Sequence, residues 1–136
     1  MRVRILPLAI TLKQKGLIMY DLNELEKNVI IWRKNRGLHQ STSKDAFMKT
    51  AEEFGEIAQA LNKQNDELLM DAIGDTLVCL VGLAASKNMT LGECLHYAYE
   101  EIKDRRGMLK DGLFVKYKDL SRAEQIELDE RLKNEG

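Results

Sequence analysis

"DAIGDTLVCLVGLAA", residues 71–85, sets two aspartates four positions apart and follows them with ten uncharged residues. At 100° per residue, the helix from Thr76 to Ala85 is apolar on every side. Such a helix is buried all round, by its own domain or by another subunit. One small bundle rarely covers a helix completely, so the stretch predicts an all-α protein that forms a homo-oligomer. Asp71 and Asp75 fall on the side that carries Gly74, Val78, Gly82 and Ala85, so Asp75 enters a segment expected to be buried.

Working outward, three further helices are predicted. The first runs from about Leu22 to Arg36, with Asp21 as N-cap and Leu25, Val29 and Trp32 on one stripe. "GLHQSTS" ends it and offers hydroxyl caps to the second, roughly Lys44 to Asn62, whose apolar stripe is Phe47, Ala51, Phe54, Ala58 and Leu61. "NKQND" is a tight polar turn into the third helix, about Glu67 to Ser86. Thr90 and Glu93 have capping-box spacing at the head of a fourth helix, which is predicted to end near Gly107. Its stripe is Leu91, Cys94, Leu95, Ala98 and Ile102. "DGLFVKYKDL" reads as a loop or short strand, and residues 121–136 as a peripheral C-terminal segment. Short connections make consecutive helices antiparallel, which gives a four-helix bundle.

With 136 residues, the chain is long enough for one domain with a real core. Twenty-one basic against 22 acidic residues give a net charge of −1, so no global field recruits nucleic acid or an anionic membrane. Cys79 and Cys94 fit no metal-ligand spacing, sit among apolar residues and read as reduced core thiols of a cytoplasmic protein. The apolar run from Leu77 to Ala85 is half the length a membrane span needs. Residues 1–18, basic and then apolar without a small-residue cleavage site, read as an N-terminal extension, a short β-strand being the alternative. The helical domain then occupies residues 19–120.

"EEFGE", residues 52–56, places Glu52, Glu53 and Glu56 on the second helix, on the half opposite its apolar stripe, with Lys49 beside them. Like charges at this spacing repel by a few tenths of a kcal/mol per pair. The plain reading is a solvated face. Asp75 argues otherwise, because an ionised carboxylate in a buried segment is kept only beside a cation or metal. Two acidic pairs facing each other across antiparallel helices form an oxygen-only cage, suited to Mg²⁺ or Mn²⁺. Glycines at 55, 74 and 82 are expected to let the backbones approach. Di-iron bundles use Glu-x-x-His pairs, and neither His39 nor His96 stands at that spacing from a helical Glu.

The combination resembles the MazG-like, all-α nucleoside triphosphate pyrophosphohydrolases, from about Tyr20 to Lys118. "KTAEEFGEIAQAL" (49–61) is similar to the family's first motif, a Glu-Glu-x-x-Glu run, and "DAIGDTLVCLVGLA" (71–84) to its second, a Gly-Asp followed by an apolar helix. "YEEIKDRRGMLKDGLFVKYKD" (99–119) is similar to the tail of short bacterial and phage-type members. The resemblance implies a four-helix core, homodimers or homotetramers, and divalent-metal-dependent cleavage of a nucleoside or deoxynucleoside triphosphate to the monophosphate and pyrophosphate. It implies Glu53, Glu56 and Asp75 as metal ligands, with Glu52 polarising a water or completing the shell. Lys49 matches the family's basic position before the acidic run. Lys103 and Arg106 resemble its phosphate-binding residues, although cations near a helix C-terminus are also favourable there without a ligand. Trp32 occupies the family's aromatic place at the end of the first helix, as core or as a surface for the base.

One departure stands out. The family places a Glu three residues before the Gly-Asp aspartate, where this chain has Ala72. Asp71, one position earlier, lies on the same helical side and is expected to substitute as a ligand with shorter reach. Three functions follow: the metal-dependent pyrophosphohydrolase, a catalytically impaired oligomer that binds nucleotide or a protein partner, and a structural helical partner with solvated acids. The first is the expectation.

Overall fold

Side-chain caps start the helices. The computed structural model describes residues 20–135, so the expected extension at residues 1–18 lies outside the described residues. The Asp21 carboxylate accepts from the Asn23 and Glu24 amides at 2.9 and 3.2 Å and opens α1, Leu22–Asn35. A 3-10 turn, Leu38–Gln40, leads to Thr42, whose hydroxyl accepts from the Asp45 amide and opens α2, Ser43–Asn62. Asn65 caps α3, Asp66–Ala85, after a connection of only three residues, Lys63 to Asn65. So short a turn forces α2 and α3 into an antiparallel hairpin. Thr90 and Glu93 exchange both capping-box bonds, at 3.0 and 3.1 Å, at the head of α4, Leu91–Ile102. The helix dominance makes this an all-α chain, with one small sheet.

The chain divides into two units, one up to Leu95 and one from His96 onward. In the first, α2 packs along α3, and α1 packs on α3. The Glu26 carboxylate of α1 accepts from the backbone amides of Leu91 and Gly92, the latter at 3.1 Å, and so holds the first turn of α4 from a distant part of the sequence.

The face of α2 that packs is not the predicted one. Ala46, Glu53 and Ala60 are buried, with Thr50 and Ile57 half-buried between them. The large stripe faces away: Phe47, Phe54 and Leu61 are exposed, Phe54 at 65%. Small side chains at 46 and 60 let the hairpin close tightly, and Glu53 is carried into the interface. Likewise α3 is not covered all round within the chain. Ala72, Thr76, Val81, Gly82 and Ala84 are buried, whereas Leu68, Met70, Ile73 and Leu77 remain exposed. No residue of α4 is buried, so Cys94 is exposed and not the core thiol expected, while Cys79 on α3 is half-buried. Among the described residues, Gly55 and Gly74 meet no neighbour that an added Cβ would touch, and Gly82 admits the Arg33 side chain, so none of the three brings backbones together as expected.

In the second unit α4 ends at Ile102, short of the expected Gly107. There the chain enters strand β1, Gly107–Lys110, paired antiparallel with β2, Leu113–Lys116. Asp111 and Gly112, with φ of 51° and 80°, form the two-residue turn, the left-handed pair that hairpins favour. A 3-10 turn, Tyr117–Asp119, precedes α5, Arg122–Leu132, opened by a reciprocal capping box between Ser121 and Glu124. Leu120 and Leu128 are buried. Tyr117 donates its hydroxyl hydrogen to Asp129 at 2.9 Å, Arg106 pairs with Asp129, and Lys110 pairs with Glu124 at 3.0 Å.

Gly107 is where this hairpin closes most tightly. An added Cβ would stand 2.4 Å from the Phe114 ring and 2.5 Å from the Val115 carbonyl oxygen. Backbone cannot yield as a flexible side chain does, so Gly107→Ala should cost about 1–3 kcal/mol locally. Hydrogen exchange should show faster amide exchange in Met108–Lys116 and unchanged protection in α2 and α3. Unaltered hairpin protection would contradict the packing described here.

Candidate metal centre

The hairpin of α2 and α3 brings together two acidic segments that are 19 residues apart in sequence from Glu56 to Asp75. Glu53, Glu56 and Asp75 each offer a carboxylate oxygen within 4.8 Å of the others. Glu53 is 8% exposed, Asp75 is half-buried and Glu56 is open to solvent. Lys49 lies one helical turn before Glu53 and bonds it at 2.8 Å, with Glu52 a looser partner at 3.7 Å. One ammonium thus serves several carboxylates, which leaves net negative charge in a partly desolvated place.

The proton affinities reflect that imbalance. The Glu53 charge, with some burial, raises the Glu56 carboxyl above its ordinary range. Burial first, then the charges of Asp71 and Glu53, raises Asp75, with Lys49 opposing. Lys49 in turn is held charged by its hydrogen bond to Glu53 and the field of Glu52. Burial pushes up the Cys79 thiol, one turn beyond Asp75.

This donor set fits a small hard cation. All donors are oxygen, three converge without rearrangement of the backbone, and added positive charge removes the repulsion that raises Glu56 and Asp75. Asp71 is exposed and stands outside the converging three, near enough to act on Asp75 through its charge. Position 72 is buried at 4% exposure. Asp71, Gly74, Asp75 and Val78 line an open groove of about 650 Å³, all of whose lining residues come from Asn65 to Val78.

The other residues singled out in the sequence have partners on their own elements or in their own unit. Trp32 is not core within the chain: it is 46% exposed, with the Arg36 guanidinium 4.5 Å above its ring. Lys103 pairs with Glu100 at 2.7 Å. Arg106 pairs with Asp129 and stacks 4.2 Å over Tyr117. Arg33, unremarked in the sequence, proves to be a half-buried cation laid against Gly82. The glycine was its only signal.

The family described as phosphoribosyl-ATP pyrophosphohydrolase matches residues 22–105. It belongs to the MazG-like all-α pyrophosphohydrolase superfamily, so the resemblance drawn from the two acidic motifs holds at that level. The chain is also similar to an uncharacterized 18.2 kDa protein of the rep-hol intergenic region of Haemophilus phage HP1 (strain HP1c1), 38% identical over 72 residues. That match covers 52% of this chain and 44% of the relative. No solved structure matches.

A pH test follows from the raised carboxyls. A group with a raised folded-state pKa binds more protons folded than unfolded between its ordinary and raised values. Stability therefore falls as pH rises through that window and recovers as pH is lowered from neutrality. In metal-free protein, Asp75→Asn should raise the melting temperature at pH 7 and narrow its lead as pH falls from neutrality toward the ordinary carboxyl range. A lead that does not change with pH would contradict the electrostatics described.

Proposed function

The chain belongs to the phosphoribosyl-ATP pyrophosphohydrolase family, and from that membership we propose that it hydrolyses a nucleoside or deoxynucleoside triphosphate to the monophosphate and pyrophosphate with Mg²⁺ or Mn²⁺ as cofactor. The observation that carries this reading is the convergence of Glu53, Glu56 and Asp75 within 4.8 Å. In such hydrolysis water adds its oxygen to the α-phosphorus, the bond from that phosphorus to the α–β bridging oxygen breaks, and pyrophosphate leaves with that oxygen. Water's two protons pass to the products or to solvent. A bound divalent cation supplies charge stabilisation to the phosphoryl oxygens and lowers the pKa of a bound water.

The chain's own groups divide the remaining work. Glu53, fixed by Lys49 and buried in the hairpin, is the rigid member of the cluster. Glu56 carries a raised proton affinity at the exposed rim, suited to taking a proton from water. Glu52, exposed beside Lys49, completes the acidic rim. Asp71 reaches the groove from the side of Asp75 as the substitute for the family glutamate at position 72. Lys103, Arg106 and Trp32 remain proposed substrate contacts.

We assign the protein to the cytoplasm, as a homodimer or homotetramer without nucleic-acid or membrane partners. The exposed stripe of Phe47, Phe54 and Leu61, the uncovered side of α3 and the one-sided groove support a second copy completing a four-helix core. Helix α3 is long and apolar enough to cross a membrane by composition, yet it supplies Asp75 to the cluster, which favours its place in a protein interface. The absence of the family glutamate at Ala72 favours the second reading, an impaired oligomer that binds nucleotide or a protein partner without turnover.

Pyrophosphate release from a panel of NTPs, dNTPs and phosphoribosyl-ATP, with Mg²⁺ or Mn²⁺, separates the two readings. Turnover is expected, and Glu53→Gln or Asp75→Asn should each remove most of it with the fold intact. Binding without release would establish the impaired oligomer. Asp71→Asn should weaken metal affinity by about 10–100-fold, with Ala72→Glu in that background recovering part of the activity. Unchanged affinity in Asp71→Asn would remove Asp71 from the centre. Light scattering should show a dimer or tetramer at micromolar protein, and Phe54→Lys should dissociate it. A monomeric parent chain would refute the assembly.

A further inference from the structure

A second cavity, of about 100 Å³, lies between α1, the 3-10 turn after it and the C-terminal end of α3. Arg33, Lys34, His39, Ser41 and Ser86 line it, together with Gly82 and apolar neighbours; no carboxylate does. Its volume is roughly three times the ~30 Å³ share of one liquid water, room for a phosphoryl group and too small for a nucleobase.

Arg33 is the centre of this cavity. Its guanidinium rests where a Cβ of residue 82 would be, 2.4 Å from the Cζ atom, and it donates to the Leu38 carbonyl at 3.2 Å. Among the described residues no acidic side chain lies within ion-pair distance of it; the eight ion pairs there engage other residues. Among the described residues this half-buried cation has one carbonyl partner and no counter-charge, and guanidinium donors match phosphate oxygens geometrically.

The position along α3 links the cavity to the carboxylate cluster. Asp75, Cys79, Gly82 and Ser86 follow at intervals of four, three and four, along one face. Gly82 is seven residues past Asp75, about 10 Å along the axis. The Cys79 thiol, between them, lies within electrostatic reach of Glu53 and Asp75 on one side and Arg33 on the other. The acidic cluster and the Arg33 cavity therefore sit two turns apart on one helix face.

We propose that the Arg33 cavity is a phosphoryl subsite that receives the β,γ end of the triphosphate and holds the pyrophosphate product, with Lys34 as the flanking cation, the His39 ring N–H as a donor and Ser41 as the hydroxyl donor, the Ser86 hydroxyl being already given to the Leu83 carbonyl at 2.6 Å. This rests on the pyrophosphohydrolase reading for the substrate, but the subsite can be tested without turnover. Arg33 acts as a positioning residue for the leaving group, outside the acidic cluster.

Isothermal titration of pyrophosphate into the metal-free full chain is the direct measurement. Arg33→Met should weaken binding by about 10–100-fold, the scale of a lost charge-assisted phosphate contact. Gly82→Ala alters no charge, yet its new Cβ must displace the guanidinium, which is the far end of a flexible side chain and able to move; it should weaken binding similarly. Lys34→Gln, at an exposed position, should weaken it a few-fold, and circular dichroism should show all three folded. Mn²⁺ affinity at the cluster should stay at the parent value in each. In turnover, Arg33→Met should raise KM and the pyrophosphate inhibition constant more than it lowers kcat. Pyrophosphate that fails to bind the parent chain, or binds Arg33→Met and Gly82→Ala as tightly as the parent, overturns the subsite even if the enzyme is active. Arg33-dependent pyrophosphate binding in a chain without nucleotide turnover sustains the subsite and removes the activity.

Discussion

Three carboxylate oxygens within 4.8 Å of one another repel, and the α2–α3 hairpin holds them there. A three-residue turn leaves the helices no alternative to antiparallel packing, and alanines at 46, 60, 72 and 84 let them pack closely. Lys49 offsets part of the repulsion at Glu53. The remainder appears as raised proton affinity at Glu56 and Asp75. The packing of small residues and the unrelieved charge are thus two sides of one arrangement, which a divalent cation satisfies.

Local signals were the most legible in the sequence. Asp21, the hydroxyls before α2 and the Thr90–Glu93 pair cap helices as read, because a cap depends on residues within one turn. The acidic cluster was legible because two motifs on adjacent helices had to meet. The packing face of α2 was not. Periodicity shows which side of a helix is apolar, and Phe47, Phe54 and Leu61 are apolar, but the face that packs within the chain is the small one. The same limit applies to α3, whose uniform apolarity from Thr76 to Ala85 gave no sign that Leu77 stands 41% exposed in one chain. The hairpin escaped a firm reading because Asp111-Gly112 sits between strands of only four residues. Arg33 was missed because its role depends on Gly82, nearly fifty residues away, and no local pattern connects them.

The exposed apolar surface and the acidic cluster belong to the same two helices. In α2, Phe54 lies between Glu53 and Glu56 in sequence, so the surface proposed to meet another copy adjoins the acidic one. Any shift of α2 along α3 would disturb both. Assembly and metal occupancy are therefore expected to stabilise one register of the hairpin together, each favouring the state the other requires.

The carboxylate of Glu26 accepts from the amides of Leu91 and Gly92, more than sixty residues along the chain. Helix nucleation is the costly step of helix formation, because the first turn fixes several residues before its bonds repay them. Here the Thr90–Glu93 box starts α4 locally, whereas the Leu91 and Gly92 amides are met only after a loop closure spanning α2 and α3. The consequence is one of coupling: any motion that parts α1 from the head of α4 uncovers two amides at once, so fraying at that end of α4 reports on the docking of α1.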